Sequence, residues 1–114
     1  MKTFIRVMKA LSDPNRVKIL KMLELKELCV CEITSVLGLA QSTVSKHLKI
    51  LEDASLVDSR KEGAWVNYRL TEDFDNNYAE VLQNNLNNWL EDDPQIREVV
   101  KQVSFVDRLQ LCDT

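Results

Sequence analysis

Glycine is nearly absent from this chain: two glycines occur among 114 residues, and aromatic residues make up only 6%. Both features favour helices over sheets. No uncharged apolar run approaches the roughly 20 residues that a membrane-spanning helix needs, so we expect no membrane partner. The N-terminal residues lack a signal-peptide hydrophobic region, and we therefore expect a cytoplasmic protein. The length fits one domain, 1–114, in which about 91–114 form a C-terminal extension.

Histidine occurs once and cysteine three times. In a cytoplasmic chain, three cysteines are expected to be ligands, redox groups or small core residues rather than a disulfide scaffold. No Gly-rich phosphate loop, catalytic His/Asp set or pair of catalytic carboxylates accompanies them. We therefore expect neither an enzyme nor an organic cofactor.

The net charge of −3 is unevenly distributed. Residues 1–70 hold 12 Lys and Arg against 8 Asp and Glu, whereas residues 71–114 hold 3 against 10. The first part is therefore net +4 and the second net −7. Such a division allows the basic part to face nucleic-acid phosphates while the acidic part faces away.

Helical spacing of apolar residues predicts a first helix at 4–11 and a second after Ser12-Asp13-Pro14, with Ser12 or Asp13 as its cap. Three lysines of the second helix lie mainly outside its apolar face, so we expect them to be solvated: Lys18, Lys21 and Lys26. A third helix ends at Gly38, and a fourth runs from about Gln41 to Ala54. Two short helices joined by a tight turn with glycine are typical of a helix-turn-helix.

The hydrophobic period then changes from helical to alternating. Residues 57–61 and 64–70 read as strands around a Glu62-Gly63 turn, and residues 75–90 and 96–106 return to the helical period. The predicted fold is mainly α-helical with a small β-hairpin. It is a winged helix-turn-helix of four helices, the hairpin as wing, a fifth helix and a C-terminal helical segment.

The exposed face of the fourth helix is polar and basic, and the hairpin adds positive charge. Residues near the N-terminus of a recognition helix reach base edges in the major groove, whereas lysines suit phosphates better. We therefore predict that double-stranded operator DNA is bound by Gln41, Ser42, Thr43, Ser45, Lys46, His47, Lys49, Arg60 and Lys61.

Cys29 and Cys31 form a close pair of thiols at the predicted start of the third helix. A helix N-terminus stabilises thiolate, so we expect lowered thiol pKa values. Thiolates prefer soft ions such as As(III), Sb(III), Cd(II), Pb(II) or Cu(I). Helical residues turn by about 100° each, so side chains at i and i+2 diverge by about 200°. An ion held by both thiolates should therefore unwind or tilt the first turn of this helix, which supports the recognition helix.

Three segments together are similar to the ArsR/SmtB family of metal-sensing repressors, and most similar to its arsenic-responsive branch. They are residues 28–33 (LCVCEI), 41–48 (QSTVSKHL) and 60–70 (RKEGAWVNYRL), and the resemblance covers about residues 4–90. It implies a homodimeric repressor that leaves its operator when As(III) or Sb(III) binds. The family dimerises through its first and last helices, which here points to Phe4, Ile5, Met8, Tyr78, Leu82, Leu86 and Trp89.

This chain also departs from the family. The arsenic branch often has a third cysteine where Thr34 stands, and As(III) prefers three thiolates. Cys112 is the remaining thiol: it completes the site within a subunit, completes it across the dimer, or is a tail residue without a role. Ala40 replaces a frequent capping serine and is a weak N-cap. Zinc sensing is not expected, because family zinc sites use histidines and carboxylates on the last helix, and His47 lies on the DNA face.

Two kinds of sensor fit the thiols. One is a repressor released by As(III) or Sb(III), with Cd(II) or Pb(II) at Cys29, Cys31 and Cys112 left open. The other is a redox or sulfide sensor, in which a Cys31–Cys112 bridge is less strained than a Cys29–Cys31 bridge. Release of operator DNA by arsenite under full reduction separates the two.

Overall fold

The computed structural model describes residues 1–106, so Cys112 lies outside the described residues. Helices and strands follow one another in this part of the chain. They are α1 (Lys2–Ala10), α2 (Pro14–Leu23), β1 (Leu28–Cys29), α3 (Val30–Leu37), α4 (Gln41–Asp53), β2 (Val57–Glu62), β3 (Trp65–Leu70), α5 (Asn77–Leu86) and α6 (Pro94–Val103).

Capping residues fix where the helices begin and end. Asp13 accepts hydrogen bonds from the backbone N–H groups of Asn15 (2.8 Å) and Arg16 (3.2 Å), and so caps α2. Asp93 caps α6 in the same way, again with a proline at the first helical position. Gly38 ends α3 in the left-handed conformation, with a φ of 68° that glycine adopts without strain.

A three-stranded antiparallel sheet has the strand order β1-β3-β2. The predicted hairpin is confirmed: β2 pairs with β3 from Val57↔Leu70 to Glu62↔Trp65, and Gly63 supplies the positive φ of the turn. The third strand, β1, was not predicted. It has two residues and pairs as Leu28↔Tyr68 and Cys29↔Asn67, so it joins the start of α3 to the wing.

One core cluster contains residues of both the helices and the sheet, and it includes the fully buried Ile33 of α3 and Val44 and Leu48 of α4. This packing fixes the angle between the two helices of the helix-turn-helix. The C-terminal segment is part of the same core: α6 packs against α2 and α3, and Val99 and Val103 are buried there.

Two expectations about the helices are wrong. The fifth helix ends at Leu86 rather than near residue 90, and Lys21 is 2% exposed rather than solvated. The errors share a cause, because the Lys21 ammonium donates to the carbonyl oxygens of Leu86 (2.9 Å) and Trp89 (3.0 Å). These are carbonyls at or beyond the end of α5, where asparagines are poor helix formers. None of the helices within residues 1–106 has the length and apolar character needed to cross a bilayer.

Candidate functional site

The recognition helix α4 presents its polar face to solvent. Its N-cap is Ala40, whose methyl side chain cannot accept a capping hydrogen bond. Lys49 forms an exposed ion pair with Asp53 at 3.2 Å, which contributes little in water. Six of the seven predicted DNA contacts on this helix are exposed: Gln41, Ser42, Thr43, Ser45, Lys46 and Lys49.

His47 is the exception on this helix, because it is only partly exposed. Its Nδ1 lies 3.2 Å from Nη1 of Arg16, a residue of α2 that the sequence analysis did not single out. The same guanidinium donates to the carbonyl oxygens of Ala10 (2.8 Å) and Lys9 (2.9 Å) at the end of α1. Arg16 therefore connects the end of α1 with the recognition helix.

The positive charge of the wing is partly neutralised within the chain. Arg60 and Lys61 are exposed as predicted, but Nη2 of Arg60 donates to Oε2 of Glu27 at 2.9 Å. Arg69 donates to Asp58 at 2.7 Å, and this bond raises the pKa of Arg69. Glu27 lies two positions before Cys29. Arg60 of the wing is thus bound to the segment that immediately precedes Cys29.

Cys29 occupies two elements at once, which the sequence analysis missed. It is the last residue of β1 and the N-cap of α3, in an extended conformation with φ −88° and ψ 169°. Its backbone N–H donates to Oε1 of Glu32 at 2.9 Å, and the Glu32 N–H faces the Cys29 sulfur, so the two residues form a capping box. The sequence signal for this capping box is a small polar residue, Cys29, followed three residues later by a glutamate, Glu32.

Cys29 is buried, with 1% of the residue exposed. Burial raises its pKa, and the Glu32 carboxylate raises it further, against the lowering effect of backbone N–H groups. The expected lowering of the thiol pKa is therefore wrong for Cys29, because the cost of burying a thiolate outweighs the helix N-terminus. The helical i, i+2 geometry expected for the two cysteines is also wrong. Cys29 lies before Val30, the first helical residue, so only Cys31 is in the helix.

Cys31 is partly exposed in the first turn of α3 and takes part in a disulfide. Thr34, at the position where the resemblance placed a third cysteine, keeps a buried hydroxyl with no hydrogen-bond partner among the described residues. Within residues 1–106, no three His, Cys, Asp or Glu side chains are grouped to hold a metal ion. Among the described residues, Cys29 is thus a thiol that suits a thiophilic ion and Cys31 becomes a second one on reduction, but no three-ligand site is assembled.

The residues predicted to form a dimer interface divide into two groups. Phe4 and Tyr78 make an edge-to-face ring contact, with centroids 5.3 Å apart, which joins α1 to α5. Leu82 is partly buried and Leu86 is buried in the core of the subunit. The exposed members of the predicted set are Phe4, Ile5, Met8, Tyr78 and Trp89.

Sequence comparison gives relatives among metal-resistance regulators. The family model for bacterial regulatory proteins of the arsR family matches residues 13–59. The arsenical resistance operon repressor of Escherichia coli is 43% identical over 68 residues, covering 59% of this chain and 58% of the relative. An arsenic resistance transcriptional regulator of Pseudomonas putida, ArsR2, is 38% identical over 90 residues, covering 75% and 78%. A cadmium resistance regulatory protein homolog of Staphylococcus aureus is 42% identical over 69 residues, covering 60% and 57%.

The chain therefore spans less than two thirds of the Escherichia coli repressor and more than two thirds of the Pseudomonas putida regulator. Among solved structures, the homodimeric winged helix-turn-helix DNA-binding domain Mb0332 of Mycobacterium bovis is similar, with a TM-score of 0.63 and 29% identity. The match covers 82% of this chain and 86% of that domain. The predicted winged helix-turn-helix is confirmed by this likeness, and its relatives are regulators rather than enzymes.

Proposed function

Because this chain belongs to the ArsR family of bacterial transcriptional regulators, we propose that it is a cytoplasmic homodimeric repressor released from operator DNA by As(III) or Sb(III). Once the disulfide at Cys31 is reduced, the ion binds the thiolates of Cys29 and Cys31, with Cys112 as candidate third ligand. The observation that carries the proposal is the place of Cys29, which is both the N-cap of α3 and a partner of the wing strand.

The polar face of α4 and the wing support DNA binding. Exposed amide, hydroxyl and ammonium groups lie along α4, and the basic Arg60 and Lys61 lie on β2. Gln41 at the first position of α4 has the donor and acceptor pair that recognises adenine. The basic half of the chain provides the attraction to phosphate, so the affinity should fall steeply with salt.

The position of Cys29 also supports a route from ion binding to DNA release. A buried thiol reaches an ion only if its surroundings open, and here the surroundings are the α3 cap and the β1–β3 pairing. Opening them removes the capping box at Glu32 and frees the start of α3. Because α3 supports α4 through Ile33, the bound ion and the operator favour different geometries of one helix pair, which is the condition for antagonism.

The exposed apolar residues of α1 and α5 support dimerisation. Large apolar side chains are usually buried when they cluster, and exposed clusters mark interfaces. The Mycobacterium bovis neighbour is described as homodimeric. We infer that α1, α5 and the turn after α5 of two copies meet through Phe4, Ile5, Met8, Tyr78 and Trp89. Leu86 stabilises each subunit from within, and Leu82 contributes to both.

The test is release of bound DNA by ions under full reduction. A duplex selected by the wild-type protein from a random-sequence pool serves as the probe, and binding is followed by fluorescence anisotropy. Arsenite and antimonite should release the duplex. Zn(II) at the same concentrations should leave the duplex bound. Failure of arsenite, antimonite, Cd(II) and Pb(II) alike to release it would contradict the proposal.

Three serine variants assign the ligands. Cys29→Ser keeps a good N-cap, so it should bind DNA like the wild type but resist arsenite, and Cys31→Ser should behave alike. Cys112→Ser decides the third ligand, since an unchanged arsenite affinity excludes that role. Release by Cd(II) but not by arsenite would favour the function described for the Staphylococcus aureus relative.

The disulfide at Cys31 favours a second candidate, a thiol-redox repressor. In this scheme the thiols of Cys31 and Cys112 lose two electrons and two protons to an oxidant such as hydrogen peroxide. The thiols become a disulfide and the peroxide becomes two molecules of water. DNA release by peroxide without any metal, lost in both Cys31→Ser and Cys112→Ser, would identify this function.

A further inference from the structure

The guanidinium of Arg16 is held in one orientation by acceptors from two helices. Its Nε donates to the Ala10 carbonyl at 2.8 Å and its Nη2 donates to the Lys9 carbonyl at 2.9 Å. Both carbonyls belong to the end of α1, where backbone oxygens lack helical donors and a cation is favourable. The remaining Nη1 lies 3.2 Å from Nδ1 of His47 on the recognition helix.

This contact determines which nitrogen of His47 carries the proton. A guanidinium has only donors and stays protonated, so Nδ1 must be the acceptor. In a neutral imidazole the other nitrogen then carries the hydrogen. His47 is therefore an Nε2–H donor, one helical turn after the exposed Thr43 on α4.

A fixed donor is useful on a recognition helix. Purine N7, guanine O6 and thymine O4 in the major groove are acceptors, as are the phosphate oxygens. The other tautomer would present a lone pair at Nε2 and repel all of these groups. We propose that Arg16 is a positioning residue for operator recognition: it holds His47 as an Nε2–H donor toward DNA and links that donor to the end of α1.

This inference rests on the proposed DNA binding, but its first test does not need DNA. His47 is the only histidine among the 114 residues, so a long-range ¹H–¹⁵N spectrum of this chain contains one imidazole. At about pH 8, above the ordinary histidine pKa of ~6.5, the two ring nitrogens should show the widely separated shifts of a single Nε2–H tautomer. In Arg16→Lys the shifts should move together, because a lysine keeps the charge but cannot span the three acceptors.

The second test measures affinity for the selected duplex. Arg16→Lys should weaken binding about five- to tenfold, which corresponds to the net free energy of about one hydrogen bond. His47→Gln, whose amide nitrogen extends about as far as Nε2, should stay within about threefold of the wild type, and His47→Asn should lose about tenfold. In the His47→Asn background, adding Arg16→Lys should change affinity less than about twofold. Lys9→Gln is the control: it changes a neighbouring side chain but keeps the backbone carbonyl that accepts from Arg16, so it should leave the imidazole spectrum unchanged.

Several results would overturn the inference. An Nδ1–H tautomer in the wild type would do so, as would a single Nε2–H tautomer that persists in Arg16→Lys. An equal loss from Arg16→Lys with and without His47 would mean that Arg16 contacts DNA itself. A wild-type protein that selects no DNA would refute the proposed function, while the spectrum would still decide the tautomer.

Discussion

Replacing the buried Lys21 by methionine tests the least expected contact in the fold. The Lys21 ammonium donates to two carbonyl oxygens at or beyond the end of α5 and pairs with Glu24 at 3.1 Å and Glu91 at 3.3 Å. Lys21→Met keeps an unbranched stem of similar length, so apolar packing is largely retained. What is lost is the cation, and the two carboxylates and two carbonyls lose their donor.

The expected loss of stability in Lys21→Met depends on how exposed the partner carboxylates of Lys21 are. Removing one partner of a fully buried ion pair costs about 3–5 kcal/mol. Here the carboxylate of Glu91 is 61% exposed and that of Glu24 is 19% exposed, so water replaces part of the lost interaction. We therefore expect a loss of about 2–3 kcal/mol in the free energy of unfolding, or about 10 °C in melting temperature for a domain of this size.

The assay is urea denaturation followed by circular dichroism at one fixed protein concentration, because dimerisation would make stability concentration-dependent. Lys26→Met is the matched control: it removes the same charge from an exposed position of the same segment. It should change stability by less than about 0.5 kcal/mol. If Lys21→Met costs no more than Lys26→Met, Lys21 is not buried between α2 and the end of α5, and the reasoning is refuted.

Three further predictions concern the wing, the thiol and the core. Glu27→Gln should release Arg60 for phosphate and tighten DNA binding about two- to threefold at low salt, with the gain disappearing at high salt, as measured by anisotropy. Glu32→Gln keeps the oxygen that caps the backbone N–H of Cys29 but removes a negative charge; it should lower the thiol pKa, which the pH dependence of iodoacetamide alkylation reports. Leu86→Ala should cost about 2–4 kcal/mol in thermal or urea unfolding, because Leu86 is buried within the subunit.

The wing and core predictions each have a comparison variant, and the raised thiol pKa has a second consequence, for stability. Glu72→Gln removes an exposed carboxylate of equal charge, and an equal gain in DNA affinity there would show that Arg60 is not specifically restrained. The raised thiol pKa means that the folded protein holds this proton more tightly than the unfolded chain. Stability should therefore fall as pH rises from the ordinary thiol pKa through the raised value, and Cys29→Ser should lack that fall. Tyr78→Ala should weaken dimerisation in sedimentation more than it lowers subunit stability, the reverse of Leu86→Ala.

The sequence predicted the parts of the fold that are encoded locally. Gly38 and Asp13 end and begin helices through contacts a few residues away, and the alternation after residue 57 indicated the wing. The unpredicted features depend on distant partners. Lys21 is buried by carbonyls 65 and 68 positions later, and β1 exists only because Leu28 and Cys29 meet β3 across about 40 residues of chain.

The same division applies to the candidate site. The polar face of α4 follows from helical spacing, and all its predicted residues except His47 are exposed. The thiol pair could be identified from spacing, but its chemistry could not, because burial of Cys29 depends on the whole core. Burial reverses the direction expected for its pKa. Arg16 escaped notice because its role depends on His47, 31 positions away.

The brevity of β1 has a consequence for how much inducer is needed to act. A two-residue strand at the edge of the sheet can open at a cost far below that of unfolding the core. In the proposed mechanism the inducer binds the open form, so its apparent dissociation constant would equal the intrinsic one divided by the open fraction. Each ~1.4 kcal/mol added to the pairing of β1 would raise the half-release concentration tenfold. Substitutions facing Leu28 and Cys29 from β3 would therefore set the response threshold of the switch without changing a ligand or a DNA contact.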